Sequence, residues 1–375
     1  MPGARHTSTS TVQVSPESTI PIGTLYCTPV IFDQACSVVS RYLSSARYVW
    51  FPRKPLALAR IGADLARVVA GQRPLRYVDL ALDYRCNLRC EHCSAEGLRR
   101  DGVPVLRPSQ WRQVVDQATD LGAFLFGLTG GEPLVLDLES LVRELGPERM
   151  LVYVVTNGTL LSRERARSLH AAGVDVVGIS LDSADADAHD RVRGAEGAQG
   201  KAWEAVRNAL AAGLAVVVAT TVTRRTVQSP GLERLLRQTE KLRLLTVLGL
   251  ACPTGGWAGR EELMLRPEDT ERLSRLMARY RHTRRDFQSN WVEVGCGAAK
   301  EKLYVSPYGE VMPCPFFQVG FGNVAEEPLA HIRRRMIEQP ELAGYPRSCL
   351  VGEDPGFLDR FRARMQTRGG CGCGG

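Results

Sequence analysis

The chain has 375 residues, 44% of them apolar and 24% charged, with a formal net charge of +7. That length suits one large domain with appendages, and the composition suits a soluble protein with a sizeable core. No stretch approaches the ~18 continuous apolar residues of a membrane span, and a charge this mild does not call for nucleic acid.

Residues 1–20 are rich in Ser and Thr and have no apolar core, so they read as a disordered leader and not as a secretory signal. A cytoplasmic location follows, with no membrane partner. Thiols stay reduced in that compartment, so the eleven cysteines need an explanation other than disulfides. An odd number cannot pair completely in any case, and metal ligation is the leading alternative. Residues 33–71 place apolar and basic positions at helical spacing, broken near Pro52 and Pro55. They read as one or two helices within an N-terminal extension over 21–75.

From residue 77 short apolar runs alternate with amphipathic stretches. Strands are expected at 77–83, 123–128, 151–156, 175–181, 214–222 and 245–250. Helices are expected between them, for example at 109–121, 162–172, 200–212 and 231–241. Such repetition argues for parallel strands buried by helices. Six units fit either a doubly wound sheet or an incomplete barrel, over about 76–285.

Directly after the first strand comes Cys86-Asn87-Leu88-Arg89-Cys90-Glu91-His92-Cys93. Three thiols on one tight loop can point inward at a single iron–sulfur cluster. Three donors leave one iron of a cubane open, as a catalytic centre needs. Cysteine frequency here predicts about 0.01 chance matches to this spacing. The bland alternative is a structural zinc loop, with His92 as its fourth ligand; the strain of His92 between Glu91 and Cys93 speaks against it. The second strand ends in Thr129-Gly130-Gly131-Glu132-Pro133. Two glycines allow a close backbone approach to a ligand, and Glu132 can accept hydrogen bonds from an amine. Strand C-terminal ends share one edge in a parallel β/α array, so the two turns meet there.

These motifs resemble those of the radical S-adenosylmethionine superfamily over about residues 77–255. The resemblance implies a partial (β/α)6 TIM-type barrel. It implies a [4Fe-4S] cluster on Cys86, Cys90 and Cys93, with S-adenosyl-L-methionine on the open iron. Gly130, Gly131 and Glu132 would hold the methionyl amine, and His92 stands where an aromatic residue often lies near the adenine. Asn157, in Thr156-Asn157-Gly158, and Ser180, in Ser180-Leu181-Asp182, look like cofactor contacts. Asp182 looks like a substrate contact. Each is equally readable as a turn or cap. The implied reaction is reductive cleavage of the cofactor to a 5'-deoxyadenosyl radical, which takes a hydrogen atom from a substrate. It needs an external one-electron reductant of flavodoxin or ferredoxin type.

Cys252 follows the sixth strand, at the active edge. There a thiol can return a hydrogen atom to a substrate radical, although a buried cysteine is more often a small hydrophobe. A helix is expected at 267–282. Beyond 290 Gly, Pro and Cys become frequent, which suggests a small stapled domain over 286–360. A hairpin is expected at 302–312, with its turn at Pro307-Tyr308-Gly309. It would bring Cys296 and Cys314 together, and Cys349 follows a helix at about 326–338. These three cysteines resemble the SPASM/Twitch extension of the superfamily, which implies one auxiliary cluster. Its fourth ligand is unassigned: a tail cysteine, Cys371 or Cys373, supplies it, or the site is open to substrate. A structural zinc knuckle is the alternative. Residues 361–375 read as a flexible Gly/Cys tail, and Cys27 and Cys36 carry no pattern.

An auxiliary cluster suits net oxidation, and a donor thiol at Cys252 suits epimerisation. The expected substrate is a small polar metabolite of sugar or aminocyclitol type, because no peptide-binding segment is evident at the N-terminus. The alternative is maturation of a ribosomally made precursor peptide. A third reading, from a different class, is a non-catalytic iron–sulfur electron carrier or structural metal protein.

Overall fold

A computed structural model gives the structure of residues 54–367. The expected leader, the first part of the N-terminal extension, and Cys27, Cys36, Cys371 and Cys373 lie outside the described residues. Helix α1 (Pro55–Val69) begins at the predicted break, with proline in its first turn. Six parallel strands then follow in chain order, and each is the neighbour of the one before: β1 (Tyr77–Asp83), β2 (Leu125–Gly130), β3 (Leu151–Thr156), β4 (Val176–Ser180), β5 (Ala215–Val222) and β6 (Leu245–Leu250). Their connections carry α2 (Pro108–Asp120), α3 (Leu138–Leu145), α4 (Arg163–Ala172), α5 (Ala186–Arg193), α6 (Ala198–Ala211) and α7 (Pro230–Lys241). This is the expected partial (β/α)6 barrel.

Alternation along the strands builds two layers. On β2 to β5, Phe126, Leu128, Val152, Val154, Val177, Ile179 and Val218 are fully buried under the helices. Burying each such side chain stabilises the fold by about 1.5–3 kcal/mol. The alternate residues face the lumen and are mixed: Tyr77, Asp79, Tyr153, Ser180, Val217 and Thr221 line a cavity there. Side chains capable of chemistry are therefore confined to the inner face. Helix starts are set locally: Asp137, Ser162 and Ser229 accept hydrogen bonds from the first turns of α3, α4 and α7. Helix α1 lies across the N-terminal ends of the strands, where Ala57 and Ile61 pack with Phe124, Leu151 and Trp291. Lys54 Nζ donates to the carbonyls of Met150 and Gly173 and pairs with Asp175.

The sheet is wider than the six-unit reading. After α8 (Pro267–Arg279) comes β7 (Thr283–Arg285), parallel to β6, and β8 (Lys302–Val305) runs parallel to β1. β9 (Val311–Met312) turns back on β8 through the predicted hairpin. Three polar residues give β7 no sequence signal. The hairpin is legible in the sequence, but its partner β1 is not, because a strand's pattern does not name its neighbour. Helices α9 (Leu329–Ile337), α10 (Pro340–Ala343) and α11 (Phe357–Thr367) complete the described chain. The expected tail therefore starts too early: residues 361–367 belong to α11, where Phe361 packs edge-on against Phe317. Among the described residues no helix is long and apolar enough to cross a membrane.

The C-terminal segment is tied to the barrel by buried polar groups. Glu301 accepts hydrogen bonds from the Trp291 and Val292 amides and from Tyr345. Its carbonyl accepts from Arg76 and Tyr77 at the start of β1. Both ends of that network are buried, so it fixes the C-terminal cysteines relative to the barrel.

Candidate active site

The cysteine loop hangs from β1. Cys86, Cys90 and Cys93 line one cavity of about 560 Å³. The Leu88 amide donates to Cys86 Sγ at 3.4 Å, and Arg193, the last residue of α5, donates to the Cys90 thiol. Burial raises both thiols above their ordinary range, and Arg193 pulls Cys90 back. The donor set fits three corners of a cubane.

The glycines after β2 serve this loop. A Cβ on Gly131 would lie 2.6 Å from the carbonyl carbon of Arg85, and Gly130 sits at φ +124° against Asp83. The Gly131 amide and the next one bond to the segment that leads into the loop: Gly131 N–H to Asp83 O at 2.7 Å and Glu132 N–H to Arg85 O at 2.9 Å. The close approach is thus to the protein's own cysteine loop. Glu132 lines the cavity as well. Its carboxylate is buried and accepts from Leu134 N (3.0 Å), Thr156 Oγ1 (2.7 Å) and Asn157 N (2.8 Å). Burial raises its pKa against the pull of those bonds. The side chain joins the ends of β2 and β3, and a carboxylate, with about four acceptor positions, keeps room for a further donor.

Asn157 lines the cavity and donates to Asn87 on the cysteine loop at 2.9 Å, and Ser180 lines it at the end of β4. Asp182 does not reach the cavity, so the expectation of a substrate contact fails on geometry. It is buried and accepts from Arg193 Nε at 2.8 Å and Thr221 N at 3.0 Å. Burial works to raise its carboxyl, but the Arg193 guanidinium overrides this and holds it below the usual range. Asp182 acts through Arg193, which faces the cavity.

His92 lies on the cavity wall with its ring tilted on Trp257, centroids 5.3 Å apart. Burial lowers its pKa to about 4, so the ring is neutral near pH 7. Its buried Nδ1 has no hydrogen-bond partner among the described residues. Trp257 belongs to the turn after β6, which sequence reasoning did not use. Gly256 N–H donates to Cys93 O at 2.9 Å, and Trp257 Nε1 donates to Glu91 at 3.3 Å. The available signal was Gly255-Gly256, a second glycine pair just past a strand end.

The C-terminal thiols line the same cavity from another side. Cys296, Cys314 and Cys349 do so together with Cys252. The Phe317 amide donates to Cys314 Sγ and the Gly352 amide to Cys349 Sγ, both at 3.3 Å. Burial pushes Cys296 up to about 12 and Cys314 to about 11. The neighbouring Cys252 thiol, working against burial, holds Cys349 below its ordinary range. Clustered, buried thiols become thiolates when a cationic metal centre binds them, so this donor set also fits a cluster. Among the described residues no three ligand-type side chains converge on a point suited to a single ion.

Residues 83–233 match the sequence model of the radical SAM superfamily, and residues 296–349 match that of SPASM, an iron–sulfur cluster-binding domain. A protein of Streptomyces rochei named PqqA peptide cyclase is 31% identical over 252 residues, 63% of this chain and 68% of that one. A protein of Methanosarcina barkeri named AdoMet-dependent heme synthase is 27% identical over 337 residues, 79% of this chain and 93% of that one. Among solved structures, Streptococcus suis SuiB bound to precursor peptide SuiA superposes with a TM-score of 0.57 at 15% identity, over 75% of this chain and 70% of that one. With the family models matching in chain order and the barrel in place, this chain belongs to the radical SAM superfamily and carries a C-terminal SPASM iron–sulfur domain.

Proposed function

We propose that this chain is a radical maturase of a ribosomally made precursor peptide. Membership of the family brings S-adenosylmethionine, a catalytic [4Fe-4S] cluster and an auxiliary one. Cys86, Cys90 and Cys93 are the donors for the first, and Cys296, Cys314 and Cys349 are donors for the second. When bound, these groups supply one-electron cleavage of S-adenosylmethionine and the hydrogen abstraction that follows. The observation that carries the two-site reading is the shared cavity, onto which both thiol groups open. Arg193 orients Cys90, Asn157 and Ser180 offer polar contacts at the strand ends, and Trp257 with His92 forms a dry wall. Val217, Leu245 and Val247 exclude water from the lumen below.

The expectation of a small polar metabolite rested on the want of an evident peptide-binding segment. The peptide alternative has the better support, because the relative at 31% identity is named for a peptide substrate. A second reading, a haem-forming reaction, draws on the relative whose length is 93% covered. An external one-electron donor is part of either proposal.

The test uses anaerobically reconstituted protein with S-adenosylmethionine and a chemical reductant. Short peptides encoded beside the gene are supplied, one at a time, and in parallel a porphyrin precursor of haem. Formation of 5'-deoxyadenosine with a peptide that loses a pair of hydrogens supports the maturase. Consumption of the porphyrin with every peptide unchanged overturns it, and absence of 5'-deoxyadenosine with intact clusters overturns radical chemistry altogether.

A further inference from the structure

Three SPASM-region cysteines leave a cubane one donor short, and in sequence the candidates beyond them are Cys371 and Cys373 in the Gly-rich tail. The fold brings up another. Cys252 stands two residues past β6, and its sulfur lies on the cavity wall beside the other three. The Cys252 and Cys349 sulfurs lie near each other, and Cys296 and Cys314 are close enough to act on Cys252 electrostatically. Gly352 marks the shared corner. A Cβ there would sit 3.1 Å from Cys252 Sγ and 3.4 Å from Cys349 Sγ. Glycine therefore keeps open the space between the two sulfurs, while its own amide donates to Cys349 Sγ. Cys252 makes a long hydrogen bond of 3.5 Å to Leu250 O. The residue packs at the edge of the apolar core, and its sulfur reaches the cavity wall beside the other thiols.

We infer that Cys252 is the fourth protein donor of the auxiliary cluster, so that the barrel's sixth strand, and not the C-terminal tail, closes that site. The inference rests on the reading of Cys296, Cys314 and Cys349 as donors to the same cluster. On binding, the Cys252 thiol gives up its proton to solvent and its sulfur forms an Fe–S bond. A ligated thiolate has no S–H hydrogen, so the hydrogen-donor role expected for Cys252 lapses. Four protein donors also leave no iron open to substrate, and the auxiliary cluster is confined to moving electrons. The placement links the two centres through one short segment: Cys252 reaches the C-terminal thiols, while Gly256 and Trp257 grip the catalytic loop.

The experiment removes the catalytic cluster first, with Cys86→Ala, Cys90→Ala and Cys93→Ala in the full chain. This parent is reconstituted anaerobically, and iron, sulfide and the electron paramagnetic resonance spectra of its oxidised and reduced states are recorded. About four irons per chain are expected. In this background Cys252→Ala should drop to about three irons and show an oxidised-state signal that the parent lacks. Cys252→Ser, which keeps a donor of similar size, should retain all the iron but shift the reduced spectrum. The Cys371→Ala/Cys373→Ala pair should match the parent. Parent-like iron and spectra in both Cys252 variants overturn the inference, whether the tail pair changes them or not. A parent that binds no iron while the wild-type chain binds about four overturns instead the assignment of Cys296, Cys314 and Cys349. Helical circular dichroism confirms that each variant is folded.

Discussion

The thiol group above β1 and the thiol group beside β6 are built in opposite ways. The first draws three sulfurs from eight consecutive residues, on a loop whose Cys86 is exposed and whose other two thiols are half-buried. The second draws its sulfurs from four segments spread over about a hundred residues; Cys252 and Cys296 are buried, and Cys314 and Cys349 are half-buried. A local loop with an exposed edge leaves room for an outside ligand, whereas a site assembled from distant segments depends on the packing that brings them together. The contrast is the one the proposed roles require, cofactor cleavage at the first and electron transfer at the second. The expected loss is largest at the first. Cys90→Ala should abolish 5'-deoxyadenosine formation and remove about half of the iron, leaving the C-terminal group loaded. Retention of cofactor cleavage in that variant would remove the distinction between the two groups.

The next effect tests how the loop is held. Arg193 donates to Cys90 and pairs with buried Asp182. Arg193→Gln should lower cofactor cleavage by about 10- to 100-fold, the usual effect of losing a group that orients a metal ligand. It should also destabilise the barrel by about 3–5 kcal/mol, because Asp182 is left charged and unpaired. Adding Asp182→Asn should restore most of the stability but not the cleavage rate. If the double variant recovers both, Arg193 supports the fold alone. The C-terminal group's spectrum should be indifferent to either change.

A glycine in each region sharpens the comparison further. Gly131 backs onto the main chain of Arg85 and Tyr84, whereas Gly352 backs onto two cysteine side chains and the carbonyl of Ala251. Main chain pinned by hydrogen bonds cannot give, so Gly131→Ala displaces the catalytic loop. Loop displacements of this kind cost up to ~100-fold in rate, and a loss of about 10-fold or more in cleavage is expected. Gly352→Ala asks its neighbours for a few tenths of an ångström, and the expected change is at most a few-fold, read as a shift in the reduced spectrum. Equal effects from the two alanines would mean that the loops are equally compliant.

The two groups also differ in how far sequence reveals them. Cys86, Cys90 and Cys93 are adjacent in the chain, so their spacing alone is informative. The six strands are legible for a related reason: each is a local apolar run. Cys252 stands out in the sequence only as a solitary thiol, because nothing in Ala251-Cys252-Pro253 indicates that Cys349, almost a hundred residues later, lies against it. Asp182 reads as facing substrate because it stands near a strand end; Arg193, eleven residues on, takes it inward. Arg193 itself gives no signal, as one arginine among many at a helix end. Side-chain direction at strand ends and contacts between distant segments are properties of the assembled barrel, and local pattern does not carry them.

The smallest effect on catalysis is expected midway between the two groups, in the lumen. Asp79 of β1 sits on the cavity wall with Lys302 of β8, and Tyr77 donates its hydroxyl hydrogen to the Asp79 carboxylate. Burial raises the Asp79 carboxyl to about 6, against the pull of Tyr77 and Lys302. The native state therefore holds a proton there, at pH values where the unfolded chain has lost it. Stability from this group is full below the ordinary carboxylate range and falls as pH rises through about 6. Asp79→Asn keeps an acceptor for Tyr77 and removes the charge. It should stabilise the protein by ~3 kcal/mol at pH 7.5, with the gain vanishing near pH 4, because a tenfold difference in proton affinity between the folded and unfolded chain is worth about 1.4 kcal/mol. Denaturant unfolding of both proteins across that range measures it. A gain independent of pH would mean that packing and not charge sets the difference. Cofactor cleavage should change by no more than about two-fold, since the partners of Asp79 are Tyr77 and Lys302 and not a sulfur.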